Sequence, residues 1–323
     1  MNATEPGLPS WVEPQLATLT DDRFSDTAWI FERKLDGERC LAFRAQSGVA
    51  RLLTRNQHDV TGTFPEIAAA LDAQRADGFI ADGEIVAFAD GQTKFEQLQQ
   101  RLGVVHPEAR LIAGFPVFYY IFDVLYAGGR DARPLPELDR KRLLADLLSF
   151  GGPLRYTEHR VGGGEGYYRS ACEQGWEGLI AKRADAPYLA GRTRNWLKFK
   201  CLAGQEFVIG GYTDPRGSRE GFGALLVGYY DTDGRLTYAG KVGTGFDAAM
   251  LRSLRAALGT LERDTPPFEL GDPPRAGAHW VQPRLVGQVA FAEWTDDGLL
   301  RQPRFQGLRE DKDPAEVVRE TPQ

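Results

Sequence analysis

Cysteine and histidine are both scarce. Among 323 residues there are three cysteines, Cys40, Cys172 and Cys201, and four histidines. An odd number of widely spaced cysteines offers neither a disulfide framework nor a zinc knuckle, and it fits a reducing compartment. Four scattered histidines likewise argue against a histidine metal cluster. Long apolar runs are missing too, since none reaches the roughly 18 residues that a membrane-spanning helix needs. The first ten residues hold Glu5, Pro6 and Pro9 without an apolar core, so no secretory leader is expected there. No repeat or low-complexity tract is visible. A net charge of -6 argues against indiscriminate nucleic-acid binding but leaves room for a local basic surface.

What the chain does have is core material. Hydrophobic residues make up 42% and charged residues 26%, and the length exceeds one usual core, so two domains are expected. The most informative stretch is Glu32-Arg33-Lys34-Leu35-Asp36-Gly37-Glu38-Arg39. It follows the apolar run Trp29-Ile30-Phe31 and precedes a second run through Leu41 and Phe43. An Asp-Gly turn therefore joins two strands, with Lys34 at the junction. Such a lysine becomes a nucleophile when burial or nearby cations lower its pKa, because only the neutral amine attacks. Taken alone, it reads equally as an exposed hairpin lysine beside a turn aspartate.

Further charges are set into strand-like runs downstream. Residues 11 to 30 read as a loop-rich entry. Val49 to Thr54 is a strand leading into the polar loop of Arg55, Asn56 and Gln57, and Pro65 opens a helix. Phe79 to Phe88 is a strand that carries Glu84 within an otherwise apolar run, where an ionised carboxylate needs a cation. Helical periodicity covers about Lys94 to Leu102, Pro136 to Phe150 and Glu165 to Gly175, with a core strand from Phe115 to Tyr126. Glu177 to Lys182 is a short strand with a carboxylate at its start and an amine at its end.

Tyr188 to Lys200 is the most basic stretch. As a strand it sets Trp196, Lys198 and Lys200 on one face, where paired ammonium groups suit a bridging anion or blunt a solvated edge. After Cys201 come short strands at Phe207 to Tyr212, Ala224 to Tyr230, Leu236 to Val242 and Leu285 to Trp294, with one helix at about Ala248 to Leu261. They suggest a small OB-like barrel and a boundary near Leu202 to Gln205. Residues 204–323 hold 14 Lys and Arg against 18 Asp and Glu, so any basic surface there is local, at Arg301, Arg304, Arg309 and Lys312.

Six segments stand in the order of the nucleotidyltransferase motifs: Lys34 to Arg39, Asp82-Gly83-Glu84, Tyr120 to Tyr126, Glu177 to Lys182, Trp196 to Lys200, and Arg309 to Lys312. With Thr54-Arg55-Asn56 they resemble the ATP-dependent DNA ligases over about Trp11 to Val318. Phe305 to Lys312 looks most like the ligase domain of bacterial DNA ligase D and its stand-alone relative, ligase C. The resemblance implies an α+β chain: a nucleotidyltransferase (adenylation) domain of antiparallel sheets and helices over residues 1–203, then a C-terminal OB-fold β-barrel over 204–323. Thr54 and Gln57 depart from it, standing where such ligases more often have Ser and Gly.

By the same resemblance, Lys34 attacks the α-phosphorus of ATP and carries AMP as a phosphoramidate, with Lys198 and Lys200 on the α-phosphate. Glu84 and Glu177 would hold Mg²⁺, or Mn²⁺. Phe122 and Ile180 would close on adenine, Glu32 would meet its edge, and Arg39 and Arg55 would lie near the ribose and the incoming 5′-phosphate. Arg309, Asp311 and Lys312 would act on the pyrophosphate, with a hinge near Leu202 to Gln205. The implied partners are nicked or broken duplex DNA, the end-binding protein Ku and a polymerase or primase; a cytoplasmic monomer working at the bacterial nucleoid is expected, with no membrane. An RNA ligase and an mRNA capping guanylyltransferase share Lys34, and a catalytically silent OB-type nucleic-acid binding module is a third alternative.

Overall fold

Why the chain turns sharply after Lys34 is plain from the packing. A Cβ on Gly37 would lie 2.2 Å from the carbonyl oxygen of Ile85, so only glycine lets this turn approach the neighbouring strand. The computed structural model describes residues 8–46, 49–201, 203–215, 217, 220–310 and 312–321. The Cα positions group into two units, one running to Cys201 and one from Leu202 to Glu320.

The first unit opens with strands β1 (Gln15–Leu19), β2 (Trp29–Lys34), β3 (Glu38–Arg44) and β4 (Arg51–Thr54), then helix α1 (Pro65–Asp72) and β5 (Phe79–Ala89). Helices α2 (Phe95–Leu98) and α3 (Ala109–Gly114) lead to β6 (Val117–Ala127) and α4 (Glu137–Leu147). Strands β7 (Leu154–Tyr156) and β8 (His159–Val161), helix α5 (Gly164–Glu173), β9 (Gly178–Arg183) and β10 (Gly191–Lys200) complete it. These form two sheets. One runs β1-β10-β9-β2-β8; the other runs β4-β3-β5-β6, with β7 and two short strands at its margins.

The hairpin around Gly37 carries the chain from the first sheet into the second. Leu41, Phe43, Leu53, Ile80 and Leu125 of the second sheet pack with Trp196 of the first and with Tyr188 just before β10, so apolar contact joins the two. The outer face of the second sheet is covered by α1 and α4, and that of the first by α5 against Phe31, Leu179 and Phe199. The sequence reading missed β1 and α3. β1 is only five residues long and lies parallel to β10, a pairing that local alternation does not reveal.

Cys172 and Cys201 form a disulfide, with Cα atoms 5.3 Å apart. This corrects the expectation drawn from their spacing. β9 pairs antiparallel with β10, and that pairing returns the chain to the end of α5, closing a separation of 29 residues. Cys40 is buried and takes no part in this disulfide.

In the second unit, β11 (Ala203–Thr213), β12 (Leu225–Tyr230), β13 (Leu236–Val242), β14 (Ala278–Phe291) and β15 (Arg304–Leu308) form an antiparallel sheet in the order β13-β12-β11-β14, with β15 also on β14. Helix α6 (Ala248–Gly259) packs Leu254 and Leu258 into its core beside Phe207, Phe222 and Phe305. Asp247 caps α6 by accepting from the Met250 amide.

Candidate active site

Strand register assembles the first unit's site. Across β2, β9 and β10, Glu32 stands opposite Ile180, which stands opposite Lys198; one step along, Lys34 stands opposite Gly178, which stands opposite Lys200. Residues two apart share a face, so both rows lie on the same side of the sheet. Gly178 is required between the two lysines. Its φ is +151°, and a Cβ there would lie 1.9 Å from the Phe199 carbonyl oxygen.

Lys34 Nζ donates to Glu177 Oε1 at 2.5 Å, both side chains being about three-quarters or more buried. Burial pushes the ammonium pKa down, but Glu177, with help from Glu84 and Asp36, outweighs it and holds Lys34 above the ordinary lysine range. The resting lysine is thus a charged, aligned group, whereas the cations of β10 led the sequence reading to expect a depressed pKa. Glu177 Oε2 is buried without a hydrogen-bond partner.

The second sheet supplies Glu84 and Phe122. Arg39 pairs across from Glu84 and fixes Asp82 through two hydrogen bonds, 2.9 Å from Nε and 2.6 Å from a terminal nitrogen. Tyr188 donates its hydroxyl to the same carboxylate at 2.7 Å. The Arg39 guanidinium then lies over the rings of Phe122 and Trp196, at 5.1 and 5.4 Å. Arg55 heads the loop after β4 at a half-buried position. In the same loop Gln57 holds a φ of +64°, which explains why glycine suits that position.

A buried amine bound by a carboxylate, with two half-buried lysines on the same sheet face, suits nucleotide transfer, and comparison with known proteins shows the family. The family described as "ATP dependent DNA ligase domain" matches residues 14–200, and that described as "ATP dependent DNA ligase C terminal region" matches 218–312. The chain belongs to the ATP-dependent DNA ligases. Over 322 residues this ligase is 39% identical to the multifunctional non-homologous end joining protein LigD of Pseudomonas aeruginosa, covering 98% of this chain and 37% of that one. Over 313 residues it is 37% identical to LigD of Mycobacterium tuberculosis, covering 95% and 40%. The ligase thus spans well under half the length of these curated relatives. A solved mycobacterial DNA ligase D complexed with ATP and MES is 35% identical over 95% of this chain and 98% of that chain, with a TM-score of 0.68. The two units are accordingly a nucleotidyltransferase domain and an OB-fold domain.

In this ligase the rows rest on a charge cluster that the sequence reading missed. Glu32, 2% exposed, takes Lys141 on one carboxylate oxygen at 2.7 Å and Lys182 on the other at 2.9 Å. Burial pushes its pKa up, yet the two lysines hold it below the usual carboxylate range. Lys182 also meets Glu137 at 3.1 Å, Glu137 pairs with Arg140, and Arg140 binds Asp123 through two bonds of 2.8 and 2.9 Å. Trp196 Nε1 donates to Glu137 at 3.2 Å. The signal was the triplet Glu137, Arg140, Lys141, spaced to lie on one face of α4. A charged helix face reads as solvated, but here all three are buried.

In the OB-fold domain, Glu206 of β11 gathers two further predicted residues. Lys312 Nζ lies 3.2 Å from its Oε1 and Arg309 3.8 Å from the same atom. Asp311 falls outside the described residues. Arg301 pairs with Glu293 on an exposed surface.

Among the described residues, no cluster of three or more His, Cys, Asp or Glu is assembled for a metal ion. Glu84 and the unpartnered Oε2 of Glu177 suit a different mode. A hard cation such as Mg²⁺ is commonly held by one or two carboxylates and completed by substrate phosphates and water.

Proposed function

We propose that this ligase seals nicks and breaks in duplex DNA through a lysyl-AMP intermediate on Lys34. The observation that carries the reading is the buried Lys34–Glu177 pair, with a spare carboxylate oxygen and Glu84 within electrostatic reach. Lys34 must shed its shared proton and attack the α-phosphorus of ATP, expelling pyrophosphate. The aligned pair restricts the amine to one approach, which is the entropic part of the catalysis. Lys198 and Lys200, on the same sheet face, stabilise charge growing on the α-phosphoryl oxygens. Glu84 and Glu177 would hold Mg²⁺, with Mn²⁺ as an alternative, and such an ion would offset the phosphate charge.

Adenine would sit between Phe122 and Ile180, its edge facing Glu32 together with Lys141 and Lys182. Arg39 and Arg55 are assigned to the ribose and the incoming 5′-phosphate. AMP then passes to the DNA 5′-phosphate, and the adjacent 3′-hydroxyl displaces it. Arg309 and Lys312 are assigned to pyrophosphate during the first step only. From the names of its relatives we further assign the ligase to end joining in DNA repair. Its setting there is the bacterial cytoplasm, at the nucleoid, as a monomer with Ku and a polymerase or primase as partners.

Incubation with α-labelled ATP and Mg²⁺, followed by mapping of the label and a chase with nicked duplex, tests the reading. Label on Lys34 that is lost to nicked DNA is the expected result. A chain that never acquires nucleotide, or acquires it after Lys34→Arg, overturns it.

A further inference from the structure

Arg33 immediately precedes the reactive lysine and points to the other side of its strand. Its guanidinium carbon lies 4.6 Å from the centre of the Trp176 ring and 5.8 Å from that of Phe88. Among the described residues it makes no hydrogen bond and no ion pair, and its Nε is buried without a partner. Burial lowers its pKa with no carboxylate to restore it. A half-buried cation left uncompensated costs stability, so it calls for an anion.

The surroundings say which anion. Phe88 meets Phe118 edge-on at 5.8 Å and Tyr120 at 6.1 Å, and Arg155 lies over the Phe118 ring at 4.7 Å. All these side chains are partly exposed. Tyr120 stands directly opposite Glu84, so this shelf of rings and guanidinium groups begins beside the reactive centre, on the strand positions leading away from Phe122. Guanidinium groups match phosphate oxygens, and interleaved aromatic rings are how proteins track a nucleic-acid strand.

We propose that Arg33, braced by Trp176 and Phe88, binds a phosphodiester of the DNA flanking the nick, and that the Phe88-Phe118-Tyr120 shelf with Arg155 continues this strand contact. The assignment rests on the ligase reading above. It names a contact to the polynucleotide backbone, distinct from the residues assigned to ATP.

The test is equilibrium binding to nicked duplex as a function of salt. Each phosphate contact adds about 0.9 to the slope of log affinity against log salt, or about a threefold change between about 50 and 200 mM. Arg33→Gln is expected to lower the slope by about one and Arg33→Lys to retain it. In a scan of single uncharged methylphosphonates beside the nick, one position should weaken wild-type binding and leave Arg33→Gln unaffected. A slope unchanged in Arg33→Gln, a slope lost equally in Arg33→Lys, or a scan with no such position would overturn the assignment. Lysyl-AMP formation by the wild-type chain in the same preparation separates the two readings. Without label the ligase reading fails; with label and no slope change, only the Arg33 assignment fails.

Discussion

At the residue scale, Lys34 and Glu177 define what the site is at rest. Replacing Glu177 by Gln removes the strongest group holding the ammonium charged and leaves burial in place, so the pKa of Lys34 should drop. Faster modification of Lys34 by an amine reagent at fixed pH, with no nucleotide or metal present, is the expected readout. Lys198→Ala should slow adenylation by about 10² to 10³, the usual loss when one preorganised charge-stabilising donor is removed, measured in a single turnover with labelled ATP. That Trp196, Lys198 and Lys200 share a face was legible in the sequence, because a period of two suffices. Which residues of β9 and β2 stand in line with them was not, since register between strands is fixed by turns and core packing.

Among the elements, α4 shows where local pattern fails. Its helical periodicity was visible, but its charged face is buried, pairing with Glu32 and Lys182. Burial, with Asp123 adding to it, pushes Glu137 up from 4.5 to about 7, against the opposing pull of Lys182 and Arg140. A folded-state pKa raised in this way contributes stability that is complete below about pH 4.5 and lost as pH rises through about 7. The unfolding midpoint should therefore fall between about pH 5 and pH 8, by the equivalent of about 1–3 kcal/mol, and Glu137→Gln should remove that part of the slope. Calorimetric scans across this range check it. Gly37 and Gly178 were visible as glycines, but their necessity became clear only when neighbouring carbonyls were placed against them.

For the whole molecule, the change of texture after Cys201 was readable, and the motif order carried the family. The tertiary role of Glu206, which collects Arg309 and Lys312, was not, because it lies more than a hundred residues away in sequence. If these two cations serve only the first step, Lys312→Ala should reduce lysyl-AMP formation far more than sealing of a pre-adenylated nick. Equal losses in the two assays would assign Lys312 to the DNA steps as well. With a net charge of -6, affinity for DNA must come from local surface, so binding should weaken steeply with salt.

The bond between Cys172 and Cys201 makes a covalent ring that contains Glu177, the whole of β9 and the exposed Arg183, Arg192 and Arg194. A single tryptic cut at any of these arginines would leave both fragments travelling as one species on a denaturing gel, to separate only when a reductant is added. The half-site built on Glu177 is therefore fastened to the rest of its domain by backbone on two sides and by sulfur across the gap.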